Sequence, residues 1–442
     1  MDLAWISLLA LGVVVLASVT TRLNPGVLAI VLAWWIGVYL AEPGGEPLGL
    51  RAVVAGFPTS LFLTLVGVTF LFTLSQVNGT LERVAATAVH LCRGNRGLIP
   101  VAFFMLALVF ASIGAGNIAA SALIAPTAMA TAYRAGISPF LMTIAVVHGA
   151  TAGALSPFSP TGVIAAGLMR ERIGATGFEW QFYLDNLAAN VVIGLGGYVA
   201  LGGWRLFAQG SVERPLHEAA PAGNPAPDPA AAAENPGPNP GPAGAFDARH
   251  AATLGAITML LVAVIFFDAD VGMAAFAGGA LLVLFRMADE TEAVRRMPWG
   301  VILMVCGVTV LTSLLEETGG SALFTDMVAR ISGPRSVTGV IALITGVLSV
   351  YASTSGVVLP AFLPIAASLA AQVGGDAMAV ASSIIVGGHL VDSSPLSTLG
   401  ALALASAHPS EDRRLLFVKG LAWGLSMAVV GAVFCLLYFG MR

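Results

Sequence analysis

Apolar runs fill almost the whole chain, and short polar interruptions divide them in the same order twice. Runs over 3–20, 25–41 and 57–77 precede a more polar segment at about 80–93 and two apolar arms over 98–135 that flank "SIGAGNIAAS". A further run is broken by "SPFSPTGVIAAGL" from Ser156, and a span over 180–207 closes the set. The second set has runs over 250–267, 271–286 and 297–315, a polar segment over 319–332 and arms over 336–372 around "YASTSGVVLP". Its break, "SPLSTLGALALAS", begins at Ser394, and its closing span covers 414–440. These runs approach the roughly 20 residues that a helix needs to cross a bilayer. They predict an all-α polytopic membrane protein; a β-barrel would show alternating segments of about ten residues instead.

Ser156 and Ser394 lie 238 residues apart, and the same offset pairs Pro126 with Pro364 and Asn117 with Ser355. One offset shared by several landmarks marks internal repeats. The sequence predicts a first repeat over 1–208 with a hairpin at about 98–135, and a second over 249–442 with a hairpin at about 336–372. Each has five transmembrane helices, a re-entrant helical hairpin and an unwound transmembrane helix. The segment between, 209–248, is rich in Pro, Ala, Gly and Asn, cannot bury a core, and reads as a disordered linker.

Five crossings is an odd number, so the repeats are expected to be inverted. A cytoplasmic linker then puts 14 of the 20 Lys and Arg inside, among them Arg22, Arg83, Arg93, Arg96, Arg134, Arg295, Arg296, Arg413, Arg414 and Lys419. Arg51, Arg170, Arg172, Arg330, Arg335 and Arg442 fall outside, as the positive-inside rule requires. The expected location is the inner (plasma) membrane, with ten spans and both termini on the outer face. The N-terminal run lacks a basic leading region and reads as a first span rather than a cleaved signal.

Composition fits: 57% of residues are hydrophobic and 10% charged, with a mean hydropathy of +0.89, whereas soluble domains carry about 25% charged residues. The net charge of −4 says little about partners, since position matters more than sum across a membrane. Cys92, Cys306 and Cys435 show no metal or disulfide spacing and read as packing residues.

The breaks carry the chemistry. Pro157, Pro160 and Pro395 remove backbone donors and prevent a continuous helix. Unwound backbone is costly in lipid and is tolerated where it lines a cavity or binds something. Freed carbonyls and hydroxyls suit a cation, and the N–H groups opening the next half-helix suit an anion. A proline kink used only for packing is the plain alternative, and two matching copies weigh against it. The candidate substrate contacts are Asn117, Ser159, Thr161, Thr354, Ser355, Ser397 and Thr398. Candidates for cation binding or coupling are Ser112, Gly116, Asn117, Ser156, Ser353, Ser355, His389, Asp392 and Ser394, with the ligands, for sodium as the resemblance given below implies, expected among Asn117, Ser156, Ser355, Asp392 and Ser394. Asp392 reads as the one carboxylate well inside the membrane, where such a group marks an ion or proton pathway; the alternative is a cap on the following half-helix. His148 reads as a packed, neutral histidine, and Asp268, Asp270, Glu316 and Glu317 as solvated boundary charge.

The hairpin tips, the opposed repeats, the "SPFSPTG" segment and the "SPLSTLG" segment that follows Asp392 and Ser393 resemble the divalent anion/sodium symporter (DASS) family of the ion transporter superfamily, most of all its MatC-type malonate/dicarboxylate carriers. That family's Ser-Asn-Thr tips correspond here to Gly116-Asn117-Ile118 and Thr354-Ser355-Gly356, where only Asn117 matches and Ser355 is a polar substitute. The family's Thr-Pro-Pro is replaced by Ser159-Pro160-Thr161 and Ser397-Thr398-Leu399. The resemblance implies elevator-type import of malonate or a four-carbon dicarboxylate, coupled to sodium or protons, by a homodimer with no other cofactor and no nucleic-acid partner. An exporter or cation/proton antiporter of the same superfamily is the alternative and a channel ranks lower. An intramembrane enzyme would need a constellation such as HExxH, which the chain lacks. A flexible linker need only reach between the halves. Deleting about half of residues 215–245 therefore leaves uptake unchanged; lost uptake with normal membrane insertion would give the segment a regulatory role.

Overall fold

The computed structural model describes residues 2–21, 23–41, 46–81, 83–84, 95–173, 177–209 and 247–441. Arg22, Cys92, Arg93 and Arg442, most of the polar segment at 80–93 and nearly all of the linker lie outside the described residues.

The described residues are essentially all helical. In the first half they form α1 (Leu3–Thr20), α2 (Pro25–Tyr39), α3 (Gly49–Ala55), α4 (Thr59–Val77), α5 (Leu98–Phe110), α6 (Gly116–Ala135), α7 (Pro139–Gly153), α8 (Pro160–Ile173) and α9 (Glu179–Ala200). The second half has α10 (Ala248–Phe267), α11 (Val271–Leu284), α12 (Glu290–Arg296), α13 (Trp299–Glu317), α14 (Gly320–Arg330) and α15 (Val337–Ser349). It continues with α16 (Leu359–Phe362), α17 (Ala366–Val373), α18 (Ala377–Leu390), α19 (Thr398–Ala405) and α20 (Arg413–Tyr438). Among the described residues, six helical stretches are long and apolar enough to cross a membrane: Gly49–Val77, Leu98–Ala135, Ala248–Phe267, Trp299–Glu317, Thr354–Val373 and Arg413–Tyr438. This is a multi-pass membrane protein.

Helix starts are set by local chemistry. The Asn24 side chain accepts from Gly26 N at 2.9 Å with Pro25 at the first helical position, and Asp270, Asp376 and Asp412 accept from Met273, Ala379 and Leu415 N in the same way. The short helices α3 and α12 were not expected. Each precedes a long helix across a Pro, at Pro58 and Pro298, and α12 is held by its Asp289 cap and by Glu292, which bonds Arg295 and Arg296.

Two packing groups emerge. The opening helices of both halves pack on each other, α2 against α13 and α4 against α11, with α1 on α2 and α14. The closing helices form the second group: α7 packs on both α5 and α6, α18 on both α15 and α17, and α9 bridges α7 and α18. The crossings in the first group depend on absent side chains. A Cβ on Gly307 would lie 2.1 Å from Gly26 O, and one on Gly67 would lie 2.4 Å from Gly272 O. Such close approach of small residues replaces the hydrophobic drive that lipid cannot supply. Adding a methyl group at Gly307 overpacks the crossing, at a cost of about 1–3 kcal/mol. Gly307→Ala therefore lowers the thermal unfolding midpoint of the detergent-solubilised protein. Gly255→Ala, where a Cβ meets nothing within 4 Å, leaves it unchanged or raises it; equal loss in both would show the crossing is loose.

Candidate functional site

Each break is closed by the same set of hydrogen bonds, 238 residues apart. After α7, Ser159 N donates to Ser156 O at 2.9 Å and Gly162 N reaches back to Ala154 O at 3.1 Å. After α18, Ser397 N donates to Ser394 O at 2.9 Å and Gly400 N to Asp392 O at 3.2 Å. The hydroxyl of Ser159 donates to Ala154 O at 2.6 Å, and that of Ser397 to Asp392 O. A Cβ on Gly162 would sit 2.0 Å from Ser156 O and one on Gly400 2.0 Å from Ser394 O, so each loop folds tightly over its glycine. The repeated Ser-Pro-x-Ser-x-x-Gly pattern is thus the recipe for one compact turn. The second Ser satisfies the carbonyl that the interrupted helix leaves unpaired, and the Gly lets the chain fold back over it.

The first tip lies one step earlier than expected. The chain turns at Gly114 (φ 121°) and Gly116 (φ 78°), and Asn117 stands in the first turn of α6 rather than at the apex. It is buried, and its Oδ1 accepts from Ile118 N at 3.0 Å. The tip is tied to its own break: Ser156 Oγ donates to Ser112 O at 2.6 Å, while Ser112 Oγ meets Tyr183 Oη at 3.0 Å. A Cβ on Gly116 would rest 3.2 Å from Pro160 Cδ.

The second tip is tied differently. Thr354 Oγ1 donates to Asp392 Oδ1 at 2.7 Å and is also bonded to Ser349 Oγ. Ser353 Oγ accepts from Gly356 N at 3.2 Å, opening the π-helical turn Thr354–Val358. Asp392 does not cap α19. That role falls to Ser397, whose hydroxyl accepts from Gly400 N at 3.3 Å. The two halves meet where Thr161 Oγ1, at the first break, lies 3.1 Å from Ser355 Oγ, at the second tip. Side chains from the opening helices close over both tips, since a Cβ on Gly114 would strike Phe72 and one on Gly356 would strike Met304.

Among the expected site residues, Asn117, Ser156, Ser159, Thr161, Thr354, Ser355, Asp392, Ser394, Ser397 and His389 are buried. Ser112 and Ser353 are half-buried, and Thr398 is exposed. The His389 ring bonds Ile385 O through Nδ1 at 2.8 Å, and its Nε2 has no hydrogen-bond partner among the described residues. Among the described residues, none of the side-chain hydrogen bonds at the breaks or tips involves Lys or Arg.

Asp392 is not the only interior carboxylate. Asp185 on α9 is 4% exposed, as is Asp392, and accepts from Ser382 Oγ on α18 at 2.8 Å. Beside it, Asn186 Nδ2 donates to Thr151 O at 2.7 Å, and Asn190 Nδ2 bonds Asn186 O and Oδ1, both at 3.1 Å. His148 Nδ1 lies 2.9 Å from Asn190 Oδ1, and Trp423 Nε1 donates to His148 Nε2 at 3.2 Å. The signal was present: Asp185, Asn186 and Asn190 fall on adjoining positions of one helix within an otherwise apolar run, where polar residues face a protein partner.

Residues 1–154 match the family model described as "Dicarboxylate carrier protein MatC N-terminus". The match runs from α1 to the end of α7. No protein of curated function matches the chain. The fold is shared along the whole chain with the YdaH transporter of Alcanivorax borkumensis, at a TM-score of 0.57 and 17% identity, covering 99% of this chain and 98% of that one. It is shared too with MtrF of Neisseria gonorrhoeae, described as illuminating a class of antimetabolite efflux pumps, at a TM-score of 0.56 and 12% identity over 95% and 96% of the two chains. The matched family and both neighbours are transport proteins, not enzymes. The chain shares the fold of these two membrane transport proteins.

The Thr354–Asp392 bond separates stability from charge. Thr354→Val leaves a buried carboxylate without its donor, at a cost of about 1–3 kcal/mol, and lowers the unfolding midpoint. Asp392→Asn can still accept that bond and keeps the midpoint. The reverse order would show that the bond is not what holds the second tip.

Proposed function

We propose that this protein is a secondary active transporter importing a small dicarboxylate such as malonate or a four-carbon dicarboxylate, coupled to sodium or protons. The observation that carries the reading is the meeting of the first break with the second tip at Thr161 and Ser355. Unwound helices and broken arms from two halves converging on one buried polar site is the construction of transporters built from opposed repeats. The dicarboxylate comes from the match of residues 1–154 to the MatC family.

In this reading the two halves are inverted repeats of five spans each, and the pair of breaks and tips forms one site near the bilayer midplane. Asn117, Ser159, Thr161, Thr354, Ser355, Ser397 and Thr398 surround the substrate, whose carboxylates are held by the hydroxyls of the Thr161–Ser355 pair and Thr398, the Asn117 amide and the helix N-termini opening α8 and α19. Asp392 supplies the one formal charge at the breaks. As a carboxylate it is a hard oxygen ligand for sodium, completed by backbone carbonyls with Ser156 and Ser394; as a protonatable group it carries the coupling proton with His389. Ser112, Gly116 and Ser353 shape the tips around the cation. The closing-helix bundle moves as a body against the opening-helix scaffold, an elevator motion that carries the site across. The protein acts as a homodimer in the inner membrane with both termini outside.

The test is uptake of radiolabelled malonate and succinate into proteoliposomes, with and without sodium and pH gradients. Gradient-dependent accumulation of either acid is expected; accumulation of neither would overturn the proposal. Asn117→Ala and Ser355→Ala abolish uptake with normal expression and folding, and wild-type uptake by either would remove the tips from the mechanism. Asp392→Asn loses accumulation while retaining exchange; normal accumulation would leave coupling to backbone and hydroxyl oxygens alone.

A further inference from the structure

Lys419 is the only lysine in the chain; every other fixed positive side chain is Arg. It lies on α20, six residues after Arg413 opens that helix, which places it about 9 Å along the axis. It lines a cavity of about 500 Å³ together with Ser138, Phe140, Trp423 and Ser426. That volume is within the roughly 300–1,000 Å³ of ordinary ligand sites. The cavity is not at the breaks. It sits where α7 begins and α9 ends, against the second to fourth turns of α20.

The walls are amphipathic. Phe140 and Trp423 pack edge to face at 6.1 Å between ring centroids, while Ser138, Lys419 and Ser426 are exposed and supply polar groups. No ion pair to Lys419 occurs among the described residues. The flank of α20 beside it is apolar and exposed at Leu415, Val418 and Leu425. Arg413 and Arg414 are exposed at the same end. A lysine that merely snorkelled would reach water from any helix end. Here the ammonium instead borders an open surface cavity with the Ser138 hydroxyl and an aromatic wall, beside a surface suited to acyl chains.

We propose that this cavity binds the headgroup of an anionic phospholipid. The lipid phosphate accepts from the Lys419 ammonium and from the hydroxyl of Ser138, and the acyl chains run along the exposed apolar flank of α20. A basic pocket between membrane helices at a leaflet surface is a recognised setting for such headgroups. The site also shares a wall with the interior network, because Trp423 donates to His148, and His148 leads through Asn190 and Asn186 to Thr151 O, just before the first break. The inference does not depend on the transported substrate.

Native mass spectrometry of the full detergent-solubilised chain, with phosphatidylglycerol or phosphatidylcholine added, tests it. The wild type retains phosphatidylglycerol and not phosphatidylcholine. Lys419→Gln weakens retention about fivefold, the loss of one basic residue at a membrane surface, and Lys419→Arg preserves it. Ser138→Ala gives a smaller loss, and thermal unfolding of each variant confirms that it is folded. Excess inorganic phosphate leaves the lipid bound, because the acyl chains also anchor it. Equal retention of both lipids, unchanged retention in Lys419→Gln, or displacement by inorganic phosphate overturns the proposal.

Discussion

Unpaired backbone in a medium without water is the constraint that shapes everything else in this protein. A helix that stops inside the membrane leaves carbonyl and amide groups that lipid cannot satisfy, each costing several kcal/mol. Here the freed carbonyl at each break, Ala154 or Asp392, accepts both a serine hydroxyl, from Ser159 or Ser397, and the amide of a glycine, Gly162 or Gly400. The loop is therefore compact and paired on its inner side. Its proline removes one donor that would otherwise need a partner, and the half-helix that follows opens with N–H groups that have no acceptor in the preceding helical turn.

A turn so closed can be offered to a ligand only if the surrounding helices leave it in place. The opening helices do this by crossing at glycines, Gly26 with Gly307 and Gly67 with Gly272, which brings Phe72 and Met304 onto the two tips. The tips are pinned in turn to the breaks, by Ser156 to Ser112 O on one side and by Thr354 to Asp392 on the other. The arrangement is duplicated in backbone and unequal in chemistry. Asp392 and Thr354 stand where the first half has Ala154 and Gly116, so the breaks carry one carboxylate rather than two. A cation bound there would meet formal charge on one side and only dipoles on the other.

Beyond the breaks, α9 ties the halves together with polar groups that would be costly if unpaired. Asp185 reaches Ser382 on α18, and Asn186 and Asn190 connect Thr151 to His148 and on to Trp423 of α20. These bonds join helices from both halves into one closing bundle, so a displacement of the site would carry α7, α9, α18 and α20 with it.

The helical membrane class, the positions of most spans and the two breaks were legible in the residues alone, because hydropathy and proline act locally and lipid removes the alternatives. Asn117, Ser156, Ser159, Thr161, Ser355, Asp392, Ser394 and Ser397 stood out as candidates, since hydroxyls, an amide and a carboxylate beside a helix break are rare in an apolar chain, and the structure buries them at the breaks and tips. What stayed open depended on partners far along the chain. The pairing of Thr161 with Ser355 joins residues 194 apart, and no periodicity predicts which tip a break will face. Asp185 acquires its partner only when α18 supplies Ser382, 197 residues away. The displacement of the first turn to Gly114 and the capping by Ser397 instead of Asp392 were likewise settled in three dimensions. A glycine's positive φ and a carboxylate's choice between Thr354 and a helix end depend on what packs beside them, and those neighbours exist only once the chain is folded.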